Sequence, residues 1–174
     1  MDFNSAGQFA DFLSMVIVPN VPSATRKGLR GVGEAVVKGA KKKFGIYQKS
    51  VYSFPAWAEL APRTLLDNPA NTPLLRTGKT KESIGFEVNG DDVVVGSSEP
   101  TMIYHELGTS TEPPRPVLGP AMYEARQMIR DIMGKATVLA IAPHMKLEKV
   151  AGFKRTGPRL ASTVWDQYRP DGGN

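Results

Sequence analysis

Cysteine is absent from the 174 residues, which excludes a disulfide framework, a thiolate zinc site, an iron–sulfur cluster and a cysteine nucleophile together. Histidine is nearly absent. With only His105 and His144, a multi-histidine metal centre is excluded and a histidine-based triad has two candidate bases. Metal catalysis would have to rest on carboxylates. No apolar run approaches the roughly 20 residues that a membrane-spanning helix requires. The short run Phe12-Leu13-Ser14-Met15-Val16-Ile17-Val18 follows Asp2 and Asp11 rather than a basic segment, so it reads as a buried helix and not as a secretory leader.

What is present is a near-average globular composition, 41% hydrophobic and 22% charged, in a length suited to one domain with a core plus arms. The net charge of +5 permits a polyanionic partner without demanding one. Its distribution is uneven. Arg26, Lys27, Arg30, Lys38, Lys41, Lys42, Lys43 and Lys49 face one acid, Glu34, so residues 26–49 carry +7 and the remainder is slightly acidic.

Phe3, Phe9, Phe12, Leu13 and Val16 recur at helical spacing and predict a short N-terminal helix bounded by Pro19 and Pro22. Ser23 stands as an N-cap for a second helix over about 24–44, whose apolar positions are Leu29, Val32, Val36, Val37, Ala40 and Phe44. Gly28, Gly31 and Gly33 each cost that helix about 1 kcal/mol against alanine, so close packing has to hold its first half. Gly45 suits its C-terminus. Residues 46–72, rich in proline and aromatics, show no sustained period and predict a long loop with a surface for partners.

Period-two alternation then takes over. Ile84, Phe86 and Val88, the turn pair Asn89-Gly90 and the run Val93-Val94-Val95 predict a β-hairpin over about 82–97. Residues 104–109 read as a turn or short strand leading into a proline-rich loop. From Val117 to Leu139 a broad apolar face predicts a helix over about 117–141, on the order of 37 Å long. The expected fold is α+β: a small antiparallel sheet packed by that long helix, with N-terminal helices and a long loop. Residues 1–144 form one domain and 145–174 a polar, basic C-terminal arm that orders on a partner.

No catalytic constellation survives inspection. Thr77-Gly78-Lys79-Thr80 resembles the end of a phosphate-binding loop, but Pro73 stands where its first glycine is required and a strand is expected to follow. Gly31 and Gly33 have no preceding strand and belong to helix packing rather than to a dinucleotide site. His105-Glu106 begins a zincin-like pattern, yet Thr109 occupies the place of the second histidine, which leaves His105 as a half-buried hydrogen-bonding residue. Ser97 and Ser98 lack the spacing of a nucleophile elbow. Lys38, Lys41 and Lys42 share a helix face that is either solvated or turned to DNA phosphate or an acidic partner.

Four stretches in order resemble one family. They are Pro73-Leu74-Leu75-Arg76-Thr77-Gly78-Lys79 with Glu82-Ser83-Ile84, Val93-Val94-Val95-Gly96-Ser97, Ile103-Tyr104-His105-Glu106-Leu107-Gly108-Thr109, and Pro114-Arg115-Pro116-Val117-Leu118-Gly119-Pro120-Ala121. Trp57-Ala58-Glu59-Leu60 with Thr64 is similar to the same family's lead-in, while Thr80 replaces its more usual leucine. The family is the neck or tail-completion (head-to-tail joining) proteins of tailed bacteriophages. The resemblance implies a structural virion protein without catalytic, cofactor or metal residues. It implies a homo-oligomeric ring, typically hexameric, between the capsid-side connector and the tail, through which double-stranded DNA passes without sequence specificity. Its neighbours are then connector or head-completion proteins and tail-terminator or tail-tube proteins. Assembly belongs to the host cytoplasm, the station to the virion neck, and no membrane is involved.

Subunit-interface candidates are Phe54, Trp57, Arg76, Gly78, Glu106, Gly108, Arg115 and Trp165, with Glu106 and Arg115 able to pair within or across subunits or to serve internal turns. Lys38, Lys41, Lys42 and Lys43 are the inter-ring or DNA-facing candidates, and Lys41, Lys42 and Lys43 are expected to meet an acidic neighbour or solvent rather than the channel. The alternative from another class is a nucleic-acid-binding accessory protein, and a hydrolase ranks third.

Overall fold

The computed structural model describes residues 3–142; the expected arm at 145–174, with Trp165, lies outside them. The elements in chain order are α1 (Ala6–Phe12), a π-helical turn (Leu13–Ile17), α2 (Val18–Lys41), α3 (Pro62–Asp67), α4 (Lys79–Glu82), β1 (Ile84–Asn89), β2 (Asp92–Ser97), α5 (Met102–Leu107) and α6 (Leu118–Ile141). The chain is α+β, as its periodicities predict.

The two N-terminal helices expected from the prolines are one continuous helical run over 6–41. Proline needs room in a helix because its ring crowds the carbonyl four residues back and it donates no N–H. A wider turn immediately before Pro19 gives that room, with Val18 N–H donating to Leu13 O, five residues back. Asn20 Nδ2 donates to Val16 O at 2.6 Å. Ser23 is consequently not a cap; its hydroxyl donates to Asn20 O within the helix. The run around Phe12–Val18 is not a buried helix either, since α1 and the π turn contain no buried residue.

Residues 84–97 form the expected hairpin, a two-stranded antiparallel sheet in the register Ile84↔Ser97 to Asn89↔Asp92, closed by Gly90-Asp91. Ile84, Phe86 and Val88 turn toward α2. The helix packed on the hairpin is α2, while α6 packs along a different side of α2. Glycine makes both approaches close: a Cβ at Gly28 would stand 2.8 Å from Ala136 Cβ and 3.0 Å from Met133 Sδ, and one at Gly33 would enter the Phe86 ring. Helix–helix contact is thus the role of Gly28 and of Gly31, which faces Ile132 of α6, as their context predicts; Gly33 instead serves the contact of α2 with the hairpin.

The main core lies where the C-terminal half of α2 meets the start of α6. Ala40, Phe44, Trp57, Ile84, Met102, Val117 and Ala121 are buried together there. Trp57 comes from the long loop, which is pinned by Trp57 N–H donating to Gln48 O and by Leu60 N–H donating to the Tyr47 hydroxyl. Large apolar side chains buried this fully contribute about 3–5 kcal/mol each against alanine, which is why a segment without helical or strand period is nonetheless fixed. Two further expectations change. Residues 104–109 are not a strand but the end of α5 and its glycine terminus, and a helical turn, α4, separates Gly78 from the strand.

Candidate functional site

Residues from 59–64, 74–80, 105 and 111–115 line one cleft, and 117–121 open α6, while 93–97 belong to strand β2. The cleft, of about 360 Å³, lies between loop residues 59–80 and 105–115 and is lined among others by Glu59, Thr64, Arg76, Gly78, His105 and Glu112. Arg76 is exposed at its rim. Gly78, at φ +78°, turns the chain into α4, and Lys79 Nζ pairs with Glu99 Oε1 at 2.9 Å.

Glu106 and Arg115 do not pair with each other. Glu106 Oε1 accepts from Val117 N–H at 2.8 Å and from Leu118 N–H at 2.6 Å, so a carboxylate on α5 caps α6, whose own N-cap residue is the apolar Val117. Negative charge is favoured there by the orphan N–H groups and the helix dipole. Arg115, 8% exposed, donates through Nε to Ala58 O and through Nη2 to Ala58 O and Glu59 O. It therefore clamps the long loop inside the protomer. Both residues satisfy the internal version of their expected role.

Gly108 at φ +75° and ψ 176° ends α5 in a conformation reserved for glycine, and a Cβ there would stand 2.9 Å from Pro114 Cδ and Pro114 N. His105 is half-buried beside these groups, and its backbone O accepts from Arg115 N–H. Burial lowers its pKa from the ordinary 6.5, with Arg115 acting the same way and Glu112 and Glu106 opposing.

Of the aromatic interface candidates, Trp57 is a core residue at 5% exposure whose Nε1–H donates to Pro116 O at 3.0 Å. Phe54 is half-buried against Gly119, where its ring takes the space of a side chain. Neither presents an open anchor. Among the basic candidates Lys43 is buried and pairs with Glu124 at 2.8 Å, so it faces neither a neighbouring ring nor a channel. Lys38 and Lys42 are exposed and Lys41 half-buried, on or just beyond α2.

Sequence reasoning missed three features. Glu124, 81 residues from Lys43, carries no local signal for that pair. Tyr52 and Tyr123 stack at 4.9 Å with the Arg126 guanidinium 4.0 Å from the Tyr123 ring, a surface cluster that joins the loop to α6. The third is the exposure of the N-terminal helical run: its apolar stripe was legible, but not that α1 and the π turn bury none of their residues.

Among the described residues every buried side-chain N or O has a hydrogen-bond partner, no group of three or more His, Asp or Glu is placed to hold a metal, and no helix is long and apolar enough to cross a membrane. No family model, curated protein or solved structure matches this chain.

Proposed function

We propose that this chain is a structural virion protein of a tailed double-stranded DNA bacteriophage, a neck or tail-completion subunit that assembles into a ring joining the capsid-side connector to the tail. The observation that carries the assembly reading is the N-terminal helical run. It continues the core helix α2, yet α1 and the π turn bury no residue, and Met15 and Val18 are 74% and 64% exposed among Phe9, Leu13 and Val21. An apolar helical surface of this extent is a site for another protein. The two-stranded sheet adds open edges, which pair or are covered in stable assemblies.

The neck assignment draws on the ordered resemblance across residues 73–121, within which Glu106, Arg115, Gly78 and Gly108 act as cap, clamp and turns. A ring subunit needs two different faces that engage head to tail. Six copies are the count the resemblance implies. Labelling tailed particles with antibody to this chain and imaging them by electron microscopy tests the reading: label at the head–tail junction supports it, and label on capsid, tail tip or no particle contradicts it.

The second reading, a nucleic-acid-binding accessory protein, is favoured by the exposed cations of α2. It requires DNA affinity with a steep salt slope from this surface.

A further inference from the structure

Strand alternation gives the hairpin two unlike faces. Ile84, Phe86, Val88, Val93 and Val95 lie toward α2, while Gly85, Glu87, Asn89, Asp92, Val94 and Gly96 form the outer face. Residues 84–97 contain three acids, Glu87, Asp91 and Asp92, and no base. At the end away from the turn, Gly85 lies directly opposite Gly96, and a Cβ at either would meet nothing within 4 Å. Glycine weakens a strand but leaves its backbone open to close approach. Val94, 59% exposed, stands directly opposite Glu87, between this bare floor and Asp92.

A surface of opposite charge and similar length lies elsewhere on the same chain. Arg26, Arg30, Glu34, Lys38 and Lys42 follow at intervals of four residues, all exposed, with Lys27 and Lys41 beside them. The ladder is about 24 Å long at 1.5 Å per residue, against about 20 Å for a six-residue strand. Among the described residues the ion pairs are Lys43–Glu124 and Lys79–Glu99, so neither surface is neutralised by those residues. Nor can the two meet within one protomer, because the hairpin packs on α2 by its other face, Phe86 against Gly33.

We propose that the acidic outer face of the β1–β2 hairpin docks on the basic ladder of α2 in a second copy of this chain. The contact deepens the ring reading and rests on it. Because the two surfaces differ, each copy uses its hairpin on one neighbour and its ladder on the other, the head-to-tail arrangement that closes into a ring. The glycine floor lets the neighbour's helix approach the sheet backbone, and the charge pattern sets its register. A duplex would compete for the ladder and be repelled by the hairpin.

The test uses the full chain and light scattering against protein concentration at low and high salt, with circular dichroism to verify folding. Hairpin reversal (Glu87→Lys with Asp92→Lys) and ladder reversal (Arg30→Glu with Lys38→Glu) should each raise the concentration for half-assembly by about tenfold or more. Combining all four should restore it to within about threefold of the native chain. Should a reversal variant misfold, the neutral pair Glu87→Gln with Asp92→Asn should weaken assembly and flatten its salt dependence. Native assembly that neither reversal weakens, or that the combination fails to restore, overturns this contact alone. So does a ladder reversal that weakens DNA binding while assembly is unchanged. A native chain that stays monomeric throughout overturns the ring reading with it.

Discussion

Replacing Glu106 by alanine removes the side-chain acceptor at the start of α6, and the consequence can be sized from the contacts. Two backbone donors lose it, Val117 N–H at 2.8 Å and Leu118 N–H at 2.6 Å. Val117 is fully buried at 0% exposure, so water does not readily replace the carboxylate there. Losing an N-cap acceptor costs about 0.5–2 kcal/mol, and hydrogen bonds to a charged group are worth about 1.5–3 kcal/mol each. Part of the loss is recovered by relaxation at half-buried Leu118, so Glu106→Ala should cost about 2–3 kcal/mol. Glu106→Gln keeps an acceptor oxygen and forfeits only the charge at the helix N-terminus, about 0.5–1 kcal/mol. Urea unfolding followed by circular dichroism reads both. With a slope of about 2 kcal/mol per molar, the midpoint should fall by about 1 M or more for alanine and about 0.3–0.5 M for glutamine. Assembly of the folded glutamine variant should match the native chain. An alanine variant within about 0.5 kcal/mol of native, or a glutamine variant as damaged as alanine, would refute the capping role.

Three further outcomes follow from the same region and its neighbours. Gly108→Ala forces a side chain into a glycine-only conformation and against Pro114, and should lower stability by about 2–3 kcal/mol in the same unfolding assay. Lys43→Met should stay within about 1 kcal/mol of native, whereas Glu124→Ala strands a buried ammonium with Gln48 Oε1 at 3.4 Å and should cost about 1–2 kcal/mol, less than a fully buried pair because Glu124 is 49% exposed. Because His105 binds its proton less readily in the fold than its ordinary 6.5, the unfolded chain holds more protons just below that value; stability should drop as pH falls through 6.5, and His105→Gln should reduce that slope in unfolding measured from pH 7.5 to 5.5.

Elements whose pattern is local were legible from residue order. The hairpin announced itself by alternation around Asn89-Gly90, and α6 by an apolar face that begins within one residue of its observed start. Glycines 28 and 33 pointed to close packing because helix propensity alone disfavours them. What failed depended on distant partners. Pro19 and Pro22 break an ideal helix, yet a π turn keeps this one continuous, and nothing in the composition of 13–17 forces that turn. Trp57 has the chemistry of an exposed anchor and of a core residue alike, and the difference is its bond to Pro116, 59 residues away. Lys43 belonged by sequence to the basic run 38–43 but points to Glu124. Glu106, Arg115, Gly78 and Gly108 could be singled out in the sequence, while their roles as cap, clamp and turns required the fold.

Cryo-electron microscopy of the purified full-length chain tests the central claim most directly. Closed rings with a lumen wide enough for duplex DNA, each copy's hairpin resting on its neighbour's α2, are the predicted result. Particles that remain single copies at every concentration, or that form two-fold dimers through identical faces, would contradict it.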